Sequence, residues 1–282
     1  MKNIRIKCPA KINLTLEIVN RREDGFHNIK SVMQLIDLYD FINISISKAD
    51  KTSILLSGNN TDIPYDSRNL VFKAAELFMR KSNVPPHKIS IQIEKNIPVA
   101  AGLAGGSTDA AGTIYGLNKL FNDCLDKNII ESLCAGLGSD LNVCLNGGCV
   151  LATSRGEVTA PLNAVDRPVV LIKPVRLGIS AKYAYEKYAQ KKTKPQLNMT
   201  DKMIDAIKKD EDLTPFLYND LEYAVFEDFE ELQIIKKLYP EAIMSGSGST
   251  YFLLKDSDIK LDSRYQIIKN LKFIKNGVEI AD

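Results

Sequence analysis

The sequence predicts an α+β protein whose two domains meet at a cleft. Three observations point there. Apolar residues alternate with period two early in the chain, runs of helical period stand between those strands, and the second half reads strand, helices, strand, helix, strand. At 282 residues the chain suits two ordinary domains or one large one. A change of pattern at 160–168 puts the boundary there, with residues 1–160 expected as one domain and 161–282 as the other.

Taken in order, Ile12, Leu14, Leu16 and Ile18 alternate with Lys11, Asn13, Thr15 and Glu17. On a strand the first set faces a core and the second projects from the other face, so Lys11 and Asn13 stand side by side. Ile42, Ile44 and Ile46 mark a second strand. Residues 69–81 read as a helix with Leu70, Ala74, Leu77 and Phe78 on one face, and residues 89–94 alternate as a strand. A helix is expected over 128–135, ending at Gly136, and a strand over 149–152. In the second half, Val169 to Ile172 is a buried-type strand, 181–190 is helical, and 191–200 is a polar loop. Helices follow near 203–209 and 229–238, then a strand at 251–254.

Between the strand at 89–94 and the next helix lies the most informative stretch, PVAAGLAGGSTDAAG, from Pro98 to Gly112. Gly102, Gly105 and Gly106 fall within five residues. Ser107 and Thr108 follow, and Ala110, Ala111, Ile114, Leu117, Leu120 and Phe121 then recur at helical spacing. Either Ser107 or Thr108 is placed to cap that helix. A glycine-rich turn feeding a helix start leaves N–H groups pointing outward at the positive end of a dipole, which suits a phosphate. The loop matches neither G-x-x-x-x-G-K-[ST] nor G-x-G-x-x-G, which argues against a Walker-type or Rossmann site.

Composition excludes several other classes. With 37 basic and 35 acidic residues the net charge is +2, which argues against nucleic acid as the main partner, and the lysine-rich residues 187–194 read as a solvated helix end and loop. The first residues are too interrupted by charge for a signal peptide, and no apolar run approaches membrane-spanning length. Five cysteines (Cys8, Cys124, Cys134, Cys144, Cys149) form no C-x-x-C pair. Free thiols in a reducing cytoplasm are therefore expected, and two histidines offer little for a metal site.

Four polar clusters can meet in the cleft: Pro9 to Asn13 with Asp24-Gly25-Phe26-His27, the glycine loop, Gly138-Ser139-Asp140, and Met244 to Thr250. Singly, Lys11 reads as a surface lysine, Asp140 as a helix cap and Phe26 as a core residue. Together they supply a backbone cradle, a cation, a carboxylate and a second oxyanion-friendly loop, the parts phosphoryl transfer needs.

The same residues carry a resemblance. The segment PAKINLTLEIVNRREDGFHNIKSVMQLIDLYD, the glycine loop, GSDLNVCLNGG, SRGE, YNDLE and MSGSGST resemble, in order, the blocks of the GHMP kinase superfamily, and within it the branch acting on a cytidine diphosphate alcohol. The resemblance implies a two-domain fold, ribosomal-protein-S5-like at the N-terminus and ferredoxin-like at the C-terminus. It implies ATP as donor, with the loop of Pro98, Ala101, Gly102, Leu103, Ala104, Gly105, Gly106, Ser107 and Thr108 around its phosphates, and Asn69 and Lys95 towards the adenosine. Mg²⁺ would ride on ATP near Ser107 or Thr108, with no metal site in the protein itself. Asp140 would be the general base, with Lys11 holding it ionised. Phe26 would stack on cytosine, and His27 and Asn13 would bind cytidine and polar groups of the substrate, with Gly246 and Ser247 also on the substrate side. Four positions depart from the resembled pattern: Ala104 for glycine, Leu141 for valine, Asn142 for proline, and Ala181 near an expected threonine. At position 26, often tyrosine, phenylalanine keeps the stacking face.

Overall fold

A computed structural model describes residues 2–193, 197–256 and 258–281. The strands are β1 (Lys2–Asn13), β2 (Thr15–Arg21), β3 (His27–Lys48), β4 (Ser53–Gly58), β5 (His87–Glu94), β6 (Cys149–Thr153), β7 (Val158–Pro161), β8 (Pro168–Pro174), β9 (Tyr218–Asn219), β10 (Ile243–Met244), β11 (Tyr251–Leu253), β12 (Tyr265–Lys272) and β13 (Glu279–Ile280). The helices are α1 (Leu70–Ser82), α2 (Gly105–Leu120), α3 (Lys127–Leu137), α4 (Leu141–Asn146), α5 (Ala181–Gln190), α6 (Met199–Lys209), α7 (Asp220–Val225) and α8 (Glu230–Leu238).

The long strand β3 organises the first sheet. β1 pairs antiparallel along most of its length, from Lys2 opposite Ile46 to Asn13 opposite Met33, with a bulge between Pro9 and Ala10. β5 pairs with the far end of β3, and β6 and β2 with its near end. Ile6, Ile42, Ile44, Ile89, Ile91 and Ile93 form the inner face of this sheet, against Val71, Ala74 and Phe78 of α1 and Ala110, Ala111, Ile114 and Leu117 of α2. The second sheet has the order β10-β11-β8-β12, all antiparallel, which is 4-1-3-2 counted from its far edge, the ferredoxin-like arrangement. β8 is buried on both faces: Val169 and Leu171 pack with α6, while Val170 and Ile172 pack with α5, α7 and α8. That explains its unbroken apolar run. Two short strands of the second half return to the first sheet, β9 beside β2 and β13 beside β1.

Several expectations need correction. The alternating strand at 12–18 is two strands, because the chain bends at Leu14, whose N–H donates to Val32 O at 2.8 Å while its carbonyl accepts from Tyr218. α3 runs through Gly136 to Leu137, with Gly138 following it. α6 begins at Met199, inside the expected loop, because the Glu17 carboxylate accepts the N–H groups of Met199 and Thr200 at 2.9 and 3.0 Å and so caps it from β2. Residues 194–196 of that loop, with Lys194 of the lysine run, lie outside the described residues. Among the described residues between β11 and β12 there is no helix. Ile259 and Leu261 sit two apart, off helical spacing, in a stretch rich in Asp and Ser. Among the described residues no helix is long and apolar enough to cross a membrane, and all five cysteines are free.

Candidate active site

β1 ends with Lys11 and Asn13 on one face, as the alternation requires. The Lys11 ammonium donates to Asn13 Oδ1 at 2.6 Å and lies 3.6 Å from Asp140 Oδ2. The Lys11 side chain is 4% exposed and that of Asp140 28%, so the cation is withdrawn while the carboxylate opens to the cavity. Asn13 is itself fixed, donating from Nδ2 to the Ser31 hydroxyl at 2.9 Å. Asp140 occupies the N-cap position of α4, where an aspartate ordinarily accepts a first-turn N–H, but it makes no side-chain cap bond. Its carboxylate is paired with Lys11 instead.

The glycine loop is shaped as a cradle, with one change from expectation. Neither Ser107 nor Thr108 caps α2. The helix starts earlier, at Gly105, and Ala104 takes the N-cap position at φ +59° with no capping side chain. Thr108 is buried, and its N–H donates to Ala104 O at 2.9 Å. The N–H groups of Gly105, Gly106 and Ser107 thus lack a side-chain acceptor, and a Cβ at Gly106 would meet nothing within 4 Å. Gly102 is held at φ +75°, where a Cβ would stand 2.0 Å from Ser245 O. Ala101 and Leu103 turn their side chains into the core and act through their backbones. Leu103 O accepts from Lys11 N at 3.1 Å, and Ala101 O accepts from Thr250 N at 3.3 Å.

Two cavities meet at this loop. The smaller, of about 360 Å³, is lined by Asn69, Lys95, Pro98 and the loop through Gly106, together with Asp109. Asn69 caps α1 by accepting from Val71 N at 2.9 Å. The Lys95 ammonium is engaged by two buried carboxylates, Asp40 and Asp109, the latter at 3.0 Å. Burial alone would pull the Lys95 pKa down, but Asp109 and Asp40 outweigh it and hold it above the ordinary lysine value. Burial raises Asp109 well above the usual carboxylate range, against the opposing pull of Lys95.

The larger cavity, of about 780 Å³, is lined by Lys11, Asn13, Phe26, His27, Asp140, Gly246 and Ser247, and it shares Gly102 and Ala104 with the smaller one. Phe26 stands at its rim, 54% exposed, with the Arg155 guanidinium 5.2 Å from its ring centre. His27 stacks on Tyr185 at 5.0 Å, nearly parallel. Burial first, then the charges of Asp140 and Asp220, push the Tyr185 phenol up. Ser247 donates to Ile179 O at 3.3 Å.

All the expected residues therefore line one cavity or the other except Ser107 and Thr108 in the first turn of α2, and Thr108 is buried. Sequence reasoning missed Tyr185, Arg155 and Ser245. Tyr185 sits on the already recognised helix 181–190, but nothing local marks it as the partner of His27. Arg155 and Ser245 lay inside motifs, SRGE and MSGSGST, without a role.

A helix-start cradle opening onto a buried lysine paired with a cavity-facing carboxylate, between an S5-like and a ferredoxin-like layer, defines a small-molecule kinase of the GHMP type, and a family profile described as "GHMP kinases N terminal domain" matches residues 69–150. The chain is 37% identical to 4-diphosphocytidyl-2-C-methyl-D-erythritol kinase of Prochlorococcus marinus (strain MIT 9301), over 97% of this chain and 92% of that protein. It is also 37% identical to the protein of that name from Bacillus cereus (strain AH187), over 94% and 92%. A crystal structure of 4-(cytidine 5'-diphospho)-2C-methyl-D-erythritol kinase superposes with TM-score 0.71 at 30% identity, over 88% of this chain and 89% of that one. The chain belongs to the 4-diphosphocytidyl-2-C-methyl-D-erythritol kinase family. Homoserine kinase from Cytophaga hutchinsonii, at TM-score 0.74 and 16% identity over 100% of this chain and 98% of that one, shares the fold.

Proposed function

We propose that the chain transfers the γ-phosphoryl group of ATP to the 2-hydroxyl of 4-diphosphocytidyl-2-C-methyl-D-erythritol, a step of non-mevalonate isoprenoid precursor synthesis. The carrying observation is the Lys11–Asp140 pair, 3.6 Å apart, in a larger cavity that shares Gly102 and Ala104 with the phosphate-type cradle. In this reading ATP lies in the smaller cavity with its phosphates over the N–H groups of Gly105, Gly106 and Ser107. Asn69 and Pro98 lie on the adenosine side. Lys95 acts there through its ion pairs, which anchor the loop, more than by reaching the nucleotide. The alcohol occupies the larger cavity, with its hydroxyl on Asp140.

Asp140 orients that hydroxyl and accepts its proton as the bond to phosphorus forms. Lys11 keeps a positive charge beside the carboxylate and the transferring group, and a withdrawn ammonium is worth more there than in water. Phe26 offers a stacking face to cytosine, with His27 and Asn13 as polar readers and Gly246 and Ser247 as the opposite wall. Hard oxygen donors suit Mg²⁺, and the residues that would hold it are Ser107, in the first turn of α2, and Asp140. When bound, Mg²⁺ would supply charge neutralisation on the phosphates. Five free thiols suit a reducing cytoplasm as the compartment.

The test is ADP release from Mg-ATP with 4-diphosphocytidyl-2-C-methyl-D-erythritol, mevalonate or homoserine as acceptor. Turnover with the cytidine compound alone is expected. Turnover with another alcohol would overturn the substrate assignment, and ATP binding without turnover on any of them would overturn the catalytic one.

A further inference from the structure

Asn219 lines neither cavity, is 2% exposed, and reaches the site from behind. Its backbone is registered on the N-terminal sheet. β9 pairs parallel with β2, placing Asn219 opposite Leu16, and Tyr218 N donates to Leu14 O at 3.2 Å, one residue beyond Asn13. Its side chain faces the C-terminal loop. Nδ2 donates to Met244 O at 2.6 Å and to Gly246 O at 2.8 Å, so both amide protons are used, and Oδ1 accepts from Leu221 N at 2.9 Å. One helical turn on, Glu222 accepts the Met244 N–H at 2.9 Å. The start of α7 thus grips both ends of the segment 244–246.

Gly246 lies close against Lys11, one member of the reacting pair. At φ +54° a Cβ there would stand 3.2 Å from Lys11 Nζ, 3.4 Å from Asn13 Oδ1 and 3.0 Å from Gly102 O. A glycine has no side chain to anchor it and many accessible backbone states, so its place depends on what holds its peptide groups. Asn219 is the side chain that holds its carbonyl.

We propose that Asn219 is a positioning residue for phosphoryl transfer: it pins Gly246 against Lys11 and Gly102, and so fixes the ammonium relative to Asp140 and to the phosphate cradle. The inference rests on the kinase reading of Lys11 and Asp140. Asn219→Asp keeps the shape and the acceptor for Leu221 N but turns a carboxylate oxygen towards two carbonyls. Asn219→Ala removes the grip without repulsion, and serves where the first variant folds poorly.

The measurements are steady-state kinetics per folded molecule, thermal melting, and hydrogen exchange of peptides covering 245–250 and 101–104. The expected result is a kcat lower by about tenfold to a hundredfold, as displacement of a positioned group by about an ångström produces. KM for both substrates should stay within about threefold, and exchange should quicken in those two segments. Wild-type kcat per folded molecule in both variants would overturn the proposal, however far the melting point falls, because Asn219 would then only pack. If the wild-type protein turns over none of the three alcohols, the functional reading fails separately. The exchange data still decide the grip, and unchanged protection of 245–250 overturns it.

Discussion

Replacing Lys11 by methionine removes the charge while keeping the volume of a side chain that is 4% exposed. Two unit charges 3.6 Å apart attract by about 5 kcal/mol at an effective dielectric of about 20, and by about 1 kcal/mol in water. With 28% of the Asp140 side chain exposed, the pair falls between those limits, at roughly 2–3 kcal/mol. If that interaction is expressed in the transition state, kcat falls by about two decades, since each decade is about 1.4 kcal/mol. Loss of charge stabilisation on the transferring group extends the fall towards about 10⁴-fold. Coupled ADP release at saturating ATP measures it, with nucleotide binding followed separately to show that the cradle is intact. Turnover by Lys11→Met within about threefold of wild type would refute the assignment, because no buried cation 3.6 Å from the base could then matter to the chemistry.

Three further outcomes follow from the geometry. Ala104 sits at φ +59°, so Ala104→Gly should stabilise the fold by about 0.5–1 kcal/mol in urea denaturation, and a loss of stability would show that its methyl packing outweighs the backbone strain. Lys95→Met leaves Asp40 and Asp109 buried without their shared cation and should cost about 3–5 kcal/mol in the same measurement. Lys173 donates to Pro174 O and Leu177 O, and burial lowers its pKa from 10.5 to about 8. Its folded value lies below its unfolded one, so between about pH 8 and about 10.4 the unfolded chain binds more protons, and the penalty for burying the charge lifts as pH rises. The stability of wild type relative to Lys173→Met should therefore increase across that window, and a flat difference would refute the shift.

The elements legible in the sequence are those whose fate is decided locally. α5 carries its own cap, Ser180 accepting from Tyr183 N, and its limits are those the periodicity gives. The adjacency of Lys11 and Asn13 follows from strand alternation alone. What escaped notice is decided at a distance. β3 runs on through Asp37 and Asp40, which look like strand breakers. Yet Asp40 is wholly buried because its carboxylate accepts the N–H groups of Asn96 and Ile97, more than fifty positions away. Lys173 would end a buried strand by any local rule, but it stays in β8 by donating to two backbone carbonyls. The Phe26–Arg155 contact joins two turns and the His27–Tyr185 contact joins the start of β3 to α5, far apart in sequence, so no window of sequence holds both partners.

Local rules fail in an informative place. α1, α5 and α7 begin with Asn69, Ser180 and Asn219, each accepting a first-turn N–H as capping rules require. α3 lacks a side-chain cap, but its first turn is exposed and water can serve it. α2 and α4 are different. α2 starts on an alanine that cannot cap, in a backbone state that disfavours alanine, with its first N–H groups facing the smaller cavity. α4 starts on an aspartate that could cap and does not, because its carboxylate lies against Lys11. One helix start leaves its first donors without a side-chain acceptor, and the other leaves its acceptor to Lys11 and not to its own helix. Beside them Gly102 and Gly246, both at positive φ, pack their loops together: a side chain on Gly102 would collide with Ser245 O, and one on Gly246 would stand tight against Gly102 O. α8 also starts without a side-chain cap, on Phe229, so a missing cap alone marks nothing; what singles out Ala104 and Asp140 is that both line the cavity that holds Lys11.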